Sequence, residues 1–296
     1  MRFQGYKVSR FQGFRISNPA AARLAICLLL FSVFQTACFE PQDGCLDIEA
    51  TNFDASADKD CCCEYPILVI EALHRYGSDS VQYLPDALYE NSTGQIFRIK
   101  SVVFYLSEIQ LFQNGGIFTV SDTVQLQTYA PSGTDTVKEA FTDDFLLIRR
   151  SPVDNPVGDF RLAGAFEQVR IRLGLSDDAQ RVIPSLAPSG SPLRIQGDSL
   201  WYGPSTGYVF LQAVVVRDSM QATKPDTLAF TEADLPDFFI DKTGNYIHAS
   251  GGYDFRLKLG VDYKKLFDGI DWTTGDIPAW KNRIVANLPG VFSVSQ

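Results

Sequence analysis

"QIFRIKSVVFYLSEIQLF" (Gln95–Phe112) decides the fold. It is crowded with β-branched and aromatic residues. Apolar and polar side chains alternate over much of its length, which is the period of a half-buried strand. The same style recurs in "ILVIEALHRY", "GIFTVSDTVQLQTY", "DFLLIRR", "FEQVRIRLGL", "GYVFLQAVVVR" and "YDFRLKLGVDY". Between these runs stand turn-forming clusters: "QNGG", "PSGTD", "SPVDNPVGD", "APSGSP" and "GPSTG". Many short strands broken by such turns predict an all-β chain built as an antiparallel β-sandwich. Helix is scarce. "DDAQRVIPS", "YKKLFDGI" and "AWKNRIVANL" predict short helices, the last opened by Pro278. One sandwich domain is predicted over residues 67–296, since an all-β unit of that size normally folds as one.

The front of the chain reads differently. Residues 1–37 predict a signal peptide. A basic region ends at Arg23, and an apolar run, "LAICLLLFSVF" (Leu24–Phe34), follows it. That run has the length of a signal core and is too short to span a bilayer. "QTAC" then resembles a bacterial lipobox, with Cys38 as the lipidated first residue of the mature chain, although Gln35 stands where an aliphatic residue is usual. Plain cleavage near Ala37 is the other reading. The expectation is a protein lipid-anchored in a Gram-negative cell envelope, with Glu40 and Asp43 hinting at the outer membrane. Residues 1–37 hold five basic residues and no acid. The rest therefore keeps 21 of the 26 Lys+Arg against all 35 Asp+Glu, a net −14. Such a surface repels phosphate backbones, so nucleic acid is excluded as a partner.

Residues 38–66 form a tether with its own character. "DGCLDIEATNFDASADKDCCCEYP" (Asp43–Pro66) is acidic and has no apolar period. In an oxidising compartment Cys45, Cys61, Cys62 and Cys63 are disulfide candidates whose connectivity sequence does not fix. A soft-metal thiolate site is the rival, with a spacing that matches no CxxC pair. Asp47, Asn52, Asp54, Asp58 and Asp60 are candidate calcium ligands, because Ca²⁺ takes oxygen donors; a solvated acidic tether is the simpler reading. The segment resembles a short module that follows the lipidation site in many Bacteroidetes exported proteins, on the strength of Gly44, Cys45, Asp47, Ala50, Asn52, Phe53, Asp54, Cys63, Glu64 and Tyr65.

Catalytic motifs are few. "GPSTG" (Gly203–Gly207) fits G-x-S-x-G, but a nucleophile elbow needs a helix after the serine, and "YVFLQAVVVR" is a strand. Acidic pairs such as "TDDF" and "SDD" read as surface carboxylates. No enzyme is predicted. The chain has two histidines, His74 and His248. Imidazole is the commonest metal ligand, and two imidazoles suit copper; a lone histidine is more often a hydrogen-bonded structural residue.

A resemblance sharpens that choice. Several landmarks occur in order: Leu73, His74 and Gly77; "FYLS" (Phe104–Ser107); "FEQVRIRLGLSD"; "LWYGPSTGYVFLQA"; "YIHASGG"; and "VANL" with a closing phenylalanine. Together they resemble the MbnP-like family, exported β-sandwich relatives of a methanobactin-associated periplasmic copper-binding protein. The resemblance implies copper, as Cu(I), held by His74 and His248, with Trp201 oxidised by a diheme peroxidase-type partner to serve as a further ligand. Leu200 stands where the family has a methionine. The alternative is an interaction module with a protein or glycan partner and structural histidines.

Overall fold

A computed structural model describes residues 40–77, 81–130, 135–194, 200–217, 224–235 and 237–296. The predicted signal peptide (residues 1–37) and the candidate lipidation site Cys38 lie outside the described residues. The strands are β1 (Asp43–Gly44), β2 (Lys59–Asp60), β3 (Ile67–Arg75), β4 (Leu88–Glu90), β5 (Ile96–Gln113), β6 (Gly116–Phe118), β7 (Thr123–Tyr129), β8 (Thr136–Thr142), β9 (Leu146–Ile148), β10 (Asp154–Asp159), β11 (Gly164–Leu173), β12 (Leu211–Val216), β13 (Asp226–Phe230), β14 (Phe239–His248), β15 (Phe255–Asp262) and β16 (Phe292–Ser295). Among the described residues three helices accompany them: α1 (Asp177–Gln180), α2 (Tyr263–Leu266) and α3 (Ile277–Val291).

The opening stretch becomes β5, 18 residues long and the hub of the larger sheet. That sheet runs β13-β12-β5-β11-β14, with β4, β6 and β9 also paired to β5. The smaller sheet runs β10-β3-β15-β16. Its central pair, β3 with β15, is parallel; the other pairings in both sheets are antiparallel. One apolar core joins the two sheets. Phe166 of β11 meets Phe255 of β15 at 5.5 Å between ring centroids, and Phe104 of β5 meets Phe292 of β16 at 5.9 Å. Offset and edge-on ring pairs of this kind add to the area they bury. Helix α3 starts where Asp276 accepts a hydrogen bond from the Ala279 amide and Pro278 occupies the first turn, where its missing N–H costs nothing. It buries Trp280, Ile284 and Leu288.

Two expectations need correction. "SPVDNPVGD" is partly strand: β10 pairs with β3 through Asp154–Asp159. It lies at the edge of its sheet, where Pro156 costs no ladder bond. The "TDDF" carboxylates are not all solvated, since Asp144 is buried. In the β5–β11 pairing two residues of β5, Glu108 and Ile109, oppose one of β11, a bulge at which Glu108 takes φ +49°. The bulge leaves the Ile109 amide without a ladder partner, and it donates to Asp144 Oδ2 at 2.8 Å.

Candidate functional site

His74 occupies an inward register. Leu68, Ile70, Ala72 and His74 alternate along β3 and are all buried, as the two-residue period requires. Its Nε2 lies 3.0 Å from the Arg149 carbonyl and its Nδ1 2.6 Å from the Tyr263 hydroxyl. A carbonyl can only accept, so Nε2 carries the proton and Nδ1 accepts from Tyr263. Burial pushes the imidazole down to about 4; the Arg149 carbonyl opposes the shift and nearby Arg150 adds to it. Tyr263 is fully buried and its hydroxyl stays protonated for the same reason. The imidazole thus has a neutral ring with both nitrogens spoken for.

His248 closes β14, where Tyr246 and His248 alternate inward. Its Nδ1 lies 2.8 Å from the Leu162 carbonyl and its Nε2 2.7 Å from the Tyr253 carbonyl. The ring stacks on Phe255 at 5.1 Å and leans on Phe160 at 5.8 Å. Two acceptors thus face the two ring nitrogens, leaving no lone pair directed at open space.

The structure does not bring the two histidines together. His248 sits on Phe255, at the start of β15, whereas His74 pairs in register with Val261. Six residues of one strand separate these points, about 20 Å at ~3.3 Å per residue. Trp201 joins neither. It bridges to Tyr208 beside the 203–207 turn, its indole N–H is buried without a hydrogen-bond partner, and among the described residues it makes no ring contact with either imidazole. Copper held jointly by His74, His248 and Trp201 therefore does not fit the side chains as placed.

The tether is a folded module. Cys45 bonds to Cys63, which settles the pairing that sequence left open. The candidate calcium ligands are spent on turns. Asp47 accepts from the Glu49 amide and the Tyr65 hydroxyl, Asp54 from the Ser56 amide and hydroxyl, Asp58 from the Gln42 amide, and Asp60 from the Leu46 amide. Asn52 accepts from the Glu64 amide. These oxygens point at separate amides and do not converge. The module rests on the turn after His248: a Cβ on Gly252, at φ +79°, would come within 2.4 Å of the Ala50 carbonyl oxygen. Arg161 also stacks on Tyr65 at 3.2 Å.

Ser205 sits in a hydrogen-bonded turn, Gly207 N to Gly203 O at 2.8 Å, and the next described element is strand β12. No nucleophile elbow is built. What sequence reasoning passed over is a group of arginines. A depression of about 470 Å³ is lined by Arg149, Arg194 and Asp154 with Leu146, Pro152 and Pro192, the Asp154 carboxylate being paired with Arg256. A second, about 220 Å³, is lined by Arg75 and Arg150 beside His74. The two flank the same segment, 149–154. The adjacent arginines of "LLIRRSP" carried the signal.

The sequence matches no protein-family model and no curated protein. Among solved structures it is similar to MbnP from Methylosinus trichosporium, at 12% identity over 69% of this chain and 78% of the other, with a TM-score of 0.38. A superposition so distant transfers no residue role.

Proposed function

We propose that the chain is a non-enzymatic interaction module of the cell envelope, anchored through Cys38, that recognises an anionic partner on the face around residues 149–154. The observation that carries this reading is the clustering of Arg149 and Arg194 in one depression, and Arg75 and Arg150 in the next, on a chain of net charge −9. Positive charge concentrated on an acidic surface steers and orients a carboxylate-bearing ligand, and guanidinium forks suit carboxylates. In this reading both histidines are structural. His74 holds the Arg149 backbone from beneath, so one imidazole fixes the floor of the arginine face. This reading includes no redox partner. The test is binding of a polyglutamate peptide to the full chain and to the Arg149→Glu/Arg194→Glu variant. The reading expects salt-sensitive binding that the variant weakens at least about tenfold. Equal binding by both chains, or none by either, rejects it.

A further inference from the structure

Cys61 and Cys62 stand apart from the disulfide beside them. Their sulfurs lie 2.7 Å apart, in an S–H···S contact. Cys62 is exposed and Cys61 partly so. Three independent restraints hold the segment. The Cys61 amide donates to the Gly44 carbonyl at 2.9 Å, continuing the β1–β2 ladder. Asn52 clamps the backbone on the other side, its Nδ2 donating to the Cys62 carbonyl at 2.7 Å and its Oδ1 accepting from the Glu64 amide at 2.9 Å. Cys63 is fixed by its bond to Cys45. Between these anchors Cys62 takes φ +58°, a left-handed conformation that non-glycine residues rarely adopt. The clamp holds that conformation, and with it the two sulfurs face each other.

We propose that Cys61 and Cys62 are a modification site: a dithiol that closes into a vicinal disulfide by exchange with a small or protein disulfide. Exposed Cys62, as thiolate, attacks one sulfur of the incoming disulfide, forming a mixed disulfide and expelling one thiolate. Cys61 then attacks the Cys62 sulfur, its proton passing to the departing thiolate, and the second thiol leaves. The protein loses two hydrogens, and the incoming disulfide is reduced to two thiols. Neighbouring Cα atoms are ~3.8 Å apart across a trans peptide, short of the usual disulfide span, so the ring is strained and opens more readily than the Cys45–Cys63 bond. Asn52 is the positioning residue.

The experiment exposes the folded full chain to oxidised glutathione and maps its peptides by mass. The 61–62 peptide is expected two hydrogens lighter, with Cys45–Cys63 intact, and a graded dithiothreitol titration should reopen 61–62 first. Cys61→Ser should trap glutathione on Cys62. Asn52→Ala should raise the trapped adduct severalfold in the otherwise unaltered chain, an effect that loss of module stability alone would not produce if Cys45–Cys63 stays closed. A wild-type chain that keeps glutathione on Cys62, or that re-pairs Cys62 with Cys45, overturns the proposal.

Discussion

The tether module and the sandwich solve the same problem with different chemistry. The sandwich has enough apolar residues to bury a continuous core, and its polar groups are fitted into that core one at a time, as with His74, His248 and Asp144. Residues 43–66 have almost no apolar interior beyond Cys45 and Ala50. They are held by one disulfide and by carboxylates bent back onto nearby amides. Short segments that cannot bury enough surface depend on such staples. In the sandwich a buried polar side chain is an exception, and His74, His248 and Asp144 each have a specific partner; in the module such bonds are the structure.

That contrast can be broken most forcefully in the core. Phe255→Ala removes a ring stacked on His248, Phe160 and Phe166. It should cost about 3–5 kcal/mol of sandwich stability, read from the urea midpoint. A loss under ~1 kcal/mol would mean that the sheets do not meet there. Cys45→Ser/Cys63→Ser should cost about 3 kcal/mol, but within the module alone. Hydrogen exchange should rise over 43–66 while the sandwich midpoint holds; a fall in both would show the two regions to be one cooperative unit.

The pH response tests how the core tolerates its polar residues. Below pH 6.5 an unfolded imidazole takes a proton that folded His74 refuses until about 4, so His74 costs stability as the pH falls through that window. Asp144 works in reverse. Burial pushes its carboxyl from 3.8 up to about 6, so the folded state binds the proton first and stability rises as the pH falls between those values. Each effect is on the order of 3 kcal/mol, and the two oppose each other between about pH 4 and 6. His74→Gln should therefore gain stability relative to the native chain on going from pH 7 to 4.5, and Asp144→Asn should lose it, both measured by denaturant titration. Identical pH profiles for all three chains would refute the assignment. The smallest effect belongs to the surface. Arg256→Ala removes a half-exposed ion pair with Asp154 and should change stability by under about 1 kcal/mol.

Much of the fold was legible because strands announce themselves by period. β3, β5, β11, β12 and β15 all fall on stretches that alternate or run apolar, and the proline that marks α3 lies in its first turn. β10 and β14 were not read as strands. "DNPVGD" and "FIDKTGNYIH" carry Pro, Gly and polar residues that edge positions tolerate and central strands do not. The site was less legible for a different reason. Sequence shows that two histidines exist but not which ends of the sheet they reach. That depends on the parallel β3–β15 register, a non-local pairing that no local pattern encodes. Asp144 was hidden likewise, since the amide it satisfies lies 35 residues away.

The central claim is that both histidines are structural. It is tested most directly by the imidazole ¹⁵N shifts of the full chain, followed through a pH titration and on addition of one equivalent of Cu(I) to the Cys61→Ser/Cys62→Ser variant. With only two histidines in the chain, each ring can be assigned by a single substitution. The account predicts that His74 keeps its neutral, Nε2-protonated form down to about pH 4 and that neither ring responds to the metal. Joint, stoichiometric shifts of His74 and His248 on adding Cu(I) would contradict it.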